Sequence, residues 1–272
     1  MAGDNVANTV EKKSSDFDKV VKKEKKTRKN NKRIAVVVTL ILLVIGTYFC
    51  VTKLFVFEKL VIKSDDEFMP YTAEEIIKGA HLEKGRPIHN ISLETAQANA
   101  KYTLPYVDVK FEKRFPGTIV AKTSYRKPAY YITVAGNMYV LSEDLVVLEK
   151  TSDIEMIESN ALIYVKFSQL STCVEGEKIA LDEEIEEIFS CLIAELKNAA
   201  MLGRISEIDM QNKFDIMLQH DTRYSVKIGD RSNLDKKIVL MKTVIDDKIS
   251  VGESGSVDVT DENIKIMIFK KN

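Results

Sequence analysis

Charge disappears from the chain between residues 34 and 52, nineteen positions reading IAVVVTLILLVIGTYFCVT, and LFVF resumes the apolar run after Lys53. That length matches the roughly 20 residues that cross a hydrocarbon core, so the pattern predicts one transmembrane helix within 34–57. A cleaved leader is the alternative reading. Its apolar region would be shorter, and the exit YFCVTKLF offers no small-x-small cleavage site. Phe49 in front of Cys50 argues likewise against a lipid-modified cysteine.

Past the span the hydrophobic period alternates between two and 3.6. Residues 57–63 (FEKLVIK) predict a first strand with Leu60 and Ile62 on one face. Thr72 and Glu75 form a capping-box pattern for a short helix ended by Gly79. Ser92 caps a second helix with Leu93, Ala96, Ala100 and Leu104 on one face and Pro105 as its stop. Residues 106–115 then alternate Val107, Val109 and Phe111 inward against Asp108, Lys110 and Glu112, and Pro116-Gly117 turns into a strand over 118–125. The order is β-α-α-β-β.

A second series follows. Strands at 130–134 and 138–141 flank Ala135-Gly136-Asn137, a hairpin signal because Gly and Asn tolerate positive φ. Residues 145–148 and 161–167 are further strand candidates, and Asp182 caps a helix carrying Ile185, Ile188, Phe189, Leu192 and Leu196. Strands at 205–210, 214–219 and 223–228 precede a helix capped by Asn233 and carrying Leu234, Ile238, Met241 and Ile245. Strands at 257–259 and 264–269 close the chain. The stretch between 45 and 60 percent of the way along is the least patterned.

Charge sharpens the topology. The overall balance of −1 conceals eleven Lys/Arg against five Asp/Glu in residues 1–33, and 29 against 36 in the remainder. Basic residues such as Lys25, Lys26, Arg28, Lys29, Lys32 and Arg33 precede the span, and Glu58, Asp65, Asp66 and Glu67 follow it. Positive-inside logic therefore puts the N-terminus in the cytoplasm and the bulk of the chain outside. The acidic bulk carries no basic stripe, which argues against nucleic acid as the main partner. It leaves the polar tail, read as disordered, as the segment able to meet anionic lipid.

No catalytic set stands out. His81, His89 and His220 show no ligand spacing and read as surface or boundary residues. Acids at 182–187 read as complements to a helix dipole rather than a metal cluster. Cys173 and Cys191 read as a buried, unpaired pair, a single bridge being the alternative. No metal or cofactor is expected.

The motif series resembles a known family. Leu104-Pro105-Tyr106-Val107, then Arg114-Phe115-Pro116-Gly117-Thr118, then Arg126-Lys127-Pro128-Ala129 are similar to the LPxV…RxFPxT…ERxPxA progression of the bacterial division proteins FtsQ and DivIB. Residues 139–144, 224–229, 234–245 and Ser256-Val257-Asp258-Val259 resemble later segments of that family. Two departures stand out: Tyr125 where the family carries an acid, and Ser64-Asp65-Asp66 in place of Gly-Asn.

The resemblance implies an α+β fold: a basic tail (1–33), the transmembrane helix (34–57), a POTRA domain (58–126), and a mixed α/β "beta" domain with a short C-terminal end (127–272). It implies a non-enzymatic, single-pass divisome scaffold at the septum, binding FtsL-like and FtsB/DivIC-like proteins and acting indirectly on the septal peptidoglycan synthase complex. The matched partner-binding positions are Tyr224, Val226, Ile228, Val257, Val259, Ile264, Ile266 and Ile268, with strand addition as the mode. The alternatives are a POTRA-bearing translocation or sensory protein, or a membrane-anchored cell-wall enzyme.

Overall fold

The computed structural model describes residues 32–50, 53–168, 170, 172–221, 223–248 and 254–261, and the backbone of 265–269. Its first helix, α1 (Lys32–Cys50), is long and apolar enough to cross a membrane, and none of it is buried in protein. An apolar surface all round with no packed face is the pattern of a membrane span. Its polar side chains fold inward on the backbone: Thr39 Oγ1 donates to the Ala35 carbonyl at 2.9 Å, and Thr47 donates to that of Leu43. Such bonds satisfy hydroxyls where water is absent.

The chain divides into two compact units. The first joins the described residues up to Lys59 with 84–91 and 113–118. Here residues 55–58, which include the start of the strand expected at 57–63, pair instead with loop residues. Ile88 N donates to Phe55 O, Phe57 N to Arg86 O and Gly85 N to Phe57 O, each at 2.8 Å. Glu58 N donates to Gly117 O at 2.8 Å, and a Cβ on Gly117 would lie 2.5 Å from Val56 O. Glycine there permits this backbone approach. Phe55 and Phe115 meet edge to face at 5.9 Å.

Mostly in the second unit, the β-α-α-β-β order is realised as β1 (Lys59–Ser64), α2 (Ala73–Gly79), α3 (Leu93–Thr103), β2 (Val107–Arg114) and β3 (Thr118–Tyr125), with Lys59, Lys113, Arg114 and Thr118 in the first. The three strands form a sheet ordered β1-β3-β2. The capping box is complete, with Thr72 and Glu75 each bonding the other's backbone amide. Ser92 accepts from Thr95 N as expected. Gly79 is the last residue of α2, as expected, but the cap itself is Ala80 and the positive φ falls on His81. Gly79 is a packing position, since a Cβ there would sit 2.8 Å from Thr103 Oγ1. The two departures from the family pattern meet in space. Asp66 Oδ2 accepts from Tyr125 N at 2.6 Å, and the Tyr125 ring packs on Phe68 at 5.0 Å.

The larger sheet holds β4 (Pro128–Val134), β5 (Asn137–Ser142), β6 (Val147–Thr151), β7 (Ile163–Phe167), β8 (Ile205–Met210), β9 (Ile216–His220), β10 (Tyr224–Gly229), β11 (Ser254–Asp258) and β12 (Lys265–Phe269). Their order is β12-β11-β10-β9-β8-β7-β4-β5-β6, parallel at β4/β7, β7/β8 and β10/β11. The β4–β5 turn places positive φ on Ala135 and Gly136, while Asn137 pairs with Val134 as the first residue of β5.

Helix α5 (Glu183–Asn198), capped by Asp182, buries Ile188, Phe189, Leu192, Ile193 and Leu196. Its Phe189 lies edge to face with Tyr130 at 5.3 Å and Phe167 at 5.5 Å. Burial pushes the Tyr130 phenol up to about 12. Helix α6 (Leu234–Lys248) joins the same core through Ile238, Met241, Val244 and Ile245. Val140 and Leu148 point the other way, packing with Ile157 of α4 (Ile154–Ser159) and Leu162 in a separate cluster.

Three expectations are corrected. The strand expected at 145–148 is β6, two residues later, because Val146 makes an isolated bridge to Lys178. Cys191 is exposed and Cys173 half-buried, both free, since Cys191 falls on the outer face of α5 rather than in its apolar stripe. His220 is fully buried instead of lying at the surface or boundary.

Residues 174–179 run along β6, with Val147 N donating to Glu177 O and Gly176 N to Val147 O, both at 2.8 Å. Gly176 has φ +80, and a Cβ there would lie 1.9 Å from Lys101 O. Gly136 has nearly the same φ, +79, with nothing within 4 Å. Alanine at Gly136 is therefore expected to cost about 1–2 kcal/mol for the left-handed backbone alone. Alanine at Gly176 should cost at least about 2 kcal/mol more, because overpacking against backbone adds to the same φ penalty. Urea denaturation of the two variants measures the difference, and equal losses would contradict the close approach.

Candidate partner-binding edge

A sheet that is not closed into a barrel has two edges, and each presents unpaired amides and carbonyls. At β6 that row is already used. Besides the two bonds from Val147, Ile179 N donates to Leu145 O at 3.0 Å, and Lys150 N donates to Glu175 Oε1 at 3.1 Å. At the opposite edge β12 is the last strand, and no strand among the described residues pairs with its outer side.

The direction of each backbone group at this edge follows from register. Gly255 N donates to Arg223 O at 3.1 Å and Val259 N to Lys227 O at 3.0 Å, so the odd-numbered residues of β11 address β10. Ser254, Ser256 and Asp258 therefore address β12, opposite Phe269, Met267 and Lys265. Hydrogen-bonded pairs alternate along an antiparallel ladder, which leaves the amides and carbonyls of Ile266 and Ile268 facing outward.

The structure separates the sequence-matched positions into three groups. Tyr224, Val226 and Ile228 lie on β10, an interior strand, and are fully buried. Val257 and Val259 are buried beside them. These five side chains hold the sheet that presents the edge. Ile266 and Ile268 lie on the edge strand itself, and Ile264 falls outside the described residues.

The supports of this end are polar. Beyond a register shift between Lys227 and Gly229, the chain turns at Gly229 with φ +75. Asp230 Oδ1 accepts from Ser232 N at 3.1 Å and from Lys237 Nζ at 2.9 Å. The Lys237 side chain is only 8% exposed, so this carboxylate supplies its counter-charge. The Ser232 hydroxyl and the Lys237 ammonium hold the Asp230 carboxyl down at about 2. After β11, Asp258 Oδ1 accepts from Thr260 N at 3.0 Å, forming the turn toward β12. Lys227 pairs with Asp215 at 3.0 Å, and that hydrogen bond raises the Lys227 ammonium above its ordinary range.

His220 lies opposite Tyr224 in the β9–β10 hairpin with neither ring nitrogen hydrogen-bonded. Asp221 Oδ2 is 3.4 Å from Nδ1, an ion-pair distance without hydrogen-bond geometry. Burial, the largest influence, depresses its basicity; Asp221 opposes this and Arg204 and Arg223 reinforce it. The ring is held neutral. Sequence reading missed this because the pairing of β9 with both neighbours, not local composition, buries it.

One hollow elsewhere has charged side chains that are already committed. A depression of about 560 Å³ is lined in part by Phe167, Asp182, Lys213 and Phe214. Its Asp182 is spent as the α5 cap and its Lys213 pairs with Glu184. Among the described residues no group of three His, Cys, Asp or Glu is placed to hold a metal.

Fold and edge together describe an α+β protein with a candidate membrane span and a sheet edge whose outer backbone row no described strand pairs with. No family model matches the chain. It is 24% identical over 202 residues to the cell division protein DivIB of Clostridium botulinum strain Hall, covering 73% of this chain and 77% of that protein. With DivIB of Clostridium tetani strain Massachusetts it shares 22% over 206 residues, covering 72% and 74%. The chain is thus similar, at a distance, to the DivIB cell-division proteins over about 73% of its length.

Asp230 gives the end of the sheet a testable dependence on pH. Its carboxyl is depressed from 3.8 to about 2, so its contribution is complete above the ordinary value and is lost as pH falls through the folded one. Asp230→Ala should cost about 1–2 kcal/mol at pH 7, discounted because the carboxylate is half exposed. The gap to the parent should close between pH 4 and about pH 2 as the parent's carboxyl protonates. Thermal denaturation across that range reads it, and a gap independent of pH would contradict the assignment.

Proposed function

We propose that this chain is a non-enzymatic divisome scaffold, anchored by α1 with its N-terminus in the cytoplasm and the remainder outside. The similarity to DivIB over about 73% of the chain carries the reading. The charge step across α1 supports the orientation. Residues 58–126 act as a POTRA domain, supported by the β-α-α-β-β order, and 127–272 as the beta domain.

In this reading β12 receives a strand from an FtsB/DivIC-like protein, alone or together with an FtsL-like one. Main-chain bonds to Ile266 and Ile268 supply the affinity. The open row at β12, beside a β6 edge that is already covered, favours this end. The assembly in turn helps recruit or regulate the septal peptidoglycan synthase complex.

A fluorescent fusion of the full chain should gather at midcell late in the division cycle. Residues 1–57 alone, with the anchor but neither outer domain, should spread around the membrane. Uniform membrane signal from the full chain would contradict a septal role.

A further inference from the structure

Sequence order scatters a set of cations that the fold gathers. Lys53, Lys59, Lys84, Arg86, Lys113 and Arg114 all belong to the unit containing α1, where 53–59, 84–91 and 113–118 carry Glu58 as their one acid, Glu83 and Glu112 bordering them, and Lys113 Nζ donates to His89 O at 3.3 Å. Two large apolar side chains stand among them, Leu54 at 64% exposed and Phe115 at 60%. The grouping is rigidly made. The Glu58 N to Gly117 O bond and the glycine-only approach of Gly117 to Val56 O fix the 113–118 hairpin tip to the segment leaving the helix. The 85–88 loop is tied to Phe55 and Phe57 by three 2.8 Å backbone bonds.

We infer that this collar is a lipid-binding surface: Phe115 and Leu54 enter the bilayer interface beside α1, and the surrounding cations meet anionic phospholipid headgroups. The inference rests on α1 crossing the membrane. Nineteen helical residues span about 28 Å at 1.5 Å each. That matches the roughly 30 Å hydrocarbon core, so the residues that follow emerge in the headgroup layer. Phe55, five residues past Cys50, lies within about 18 Å of it by chain length. The Phe115 ring lies 5.9 Å from the Phe55 ring. An apolar wedge rimmed by Lys and Arg is the composition that settles at such an interface. The acidic bulk of the outer chain conceals it, because the cations come from three separate segments. Anionic lipid thus has a site on the far side of the span from the basic tail.

The chain contains no tryptophan, so one introduced at a time reports a single place. Full-length Phe115→Trp, Leu54→Trp, Phe214→Trp and Val44→Trp would be reconstituted in bilayer discs of phosphatidylcholine, with or without phosphatidylglycerol. Part of the lipid would carry brominated acyl chains, which quench indole on contact. Phe115→Trp and Leu54→Trp should lose about half their emission, more with phosphatidylglycerol, while the exposed Phe214→Trp control changes little. Lys113→Gln with Arg114→Gln should remove the extra loss that the anionic lipid produces. Val44→Trp reports the span. If it escapes quenching, the membrane reading itself falls. If it is quenched while Phe115→Trp and Leu54→Trp behave like Phe214→Trp, the collar inference alone falls. Rings shielded from both bromolipid and aqueous iodide would mean that protein covers them, which also overturns it.

Discussion

The constraint on which the larger sheet depends is the satisfaction of backbone hydrogen-bonding groups at its two ends. Nine strands in one open sheet leave two rows of donors and acceptors, and this chain treats them differently. Residues 174–179 cover β6, and their close passage is possible because residue 176 is a glycine at positive φ against the Lys101 carbonyl. At β12 the row faces outward at Ile266 and Ile268, behind a wall of buried valines, isoleucine and tyrosine on β10 and β11. A covered edge and an open one on the same sheet give the protein a direction for pairing.

Elsewhere polar groups are used to fix geometry. Arg126 Nη1 donates to Val107 O at 3.0 Å while Nη2 meets Asp108 at 3.0 Å, and the side chain is 15% exposed. Asp66 stands at the end of β3, where its carboxylate accepts from the Tyr125 backbone amide at 2.6 Å and the Tyr125 ring packs on Phe68. Residues 59 positions apart in sequence are thus joined at one end of the small sheet. Asp230 does comparable work under α6, giving a buried lysine its only carboxylate contact among the described residues.

Local chemistry was readable wherever it is self-contained. The caps at Thr72, Ser92 and Asp182 and the inward alternation of Val107, Val109 and Phe111 depend on neighbours a few residues away, and the structure has each of them. What sequence could not display depends on distant partners. Gly79 read as a helix stop and is also a contact with Thr103; His220 read as a surface or boundary residue and is enclosed by two neighbouring strands. The partner-binding strands were legible as strands, but not which of them would be the edge, because strand order is set by crossovers through α5 and α6. The same limit hid the outer cations, which become a cluster only when three segments converge.

The central claim is that affinity resides in the outward backbone of β12. It is tested most directly by calorimetric titration of the detergent-solubilised full chain with the ectodomain of its FtsB/DivIC-like partner, each variant first checked for native circular dichroism. Ile266→Pro and Ile268→Pro remove outward donors without touching the bonds to β11, and together should weaken binding by at least about tenfold. Lys265→Gln keeps every backbone group and should leave affinity unchanged. Full affinity in the folded double proline variant would contradict strand addition at this edge.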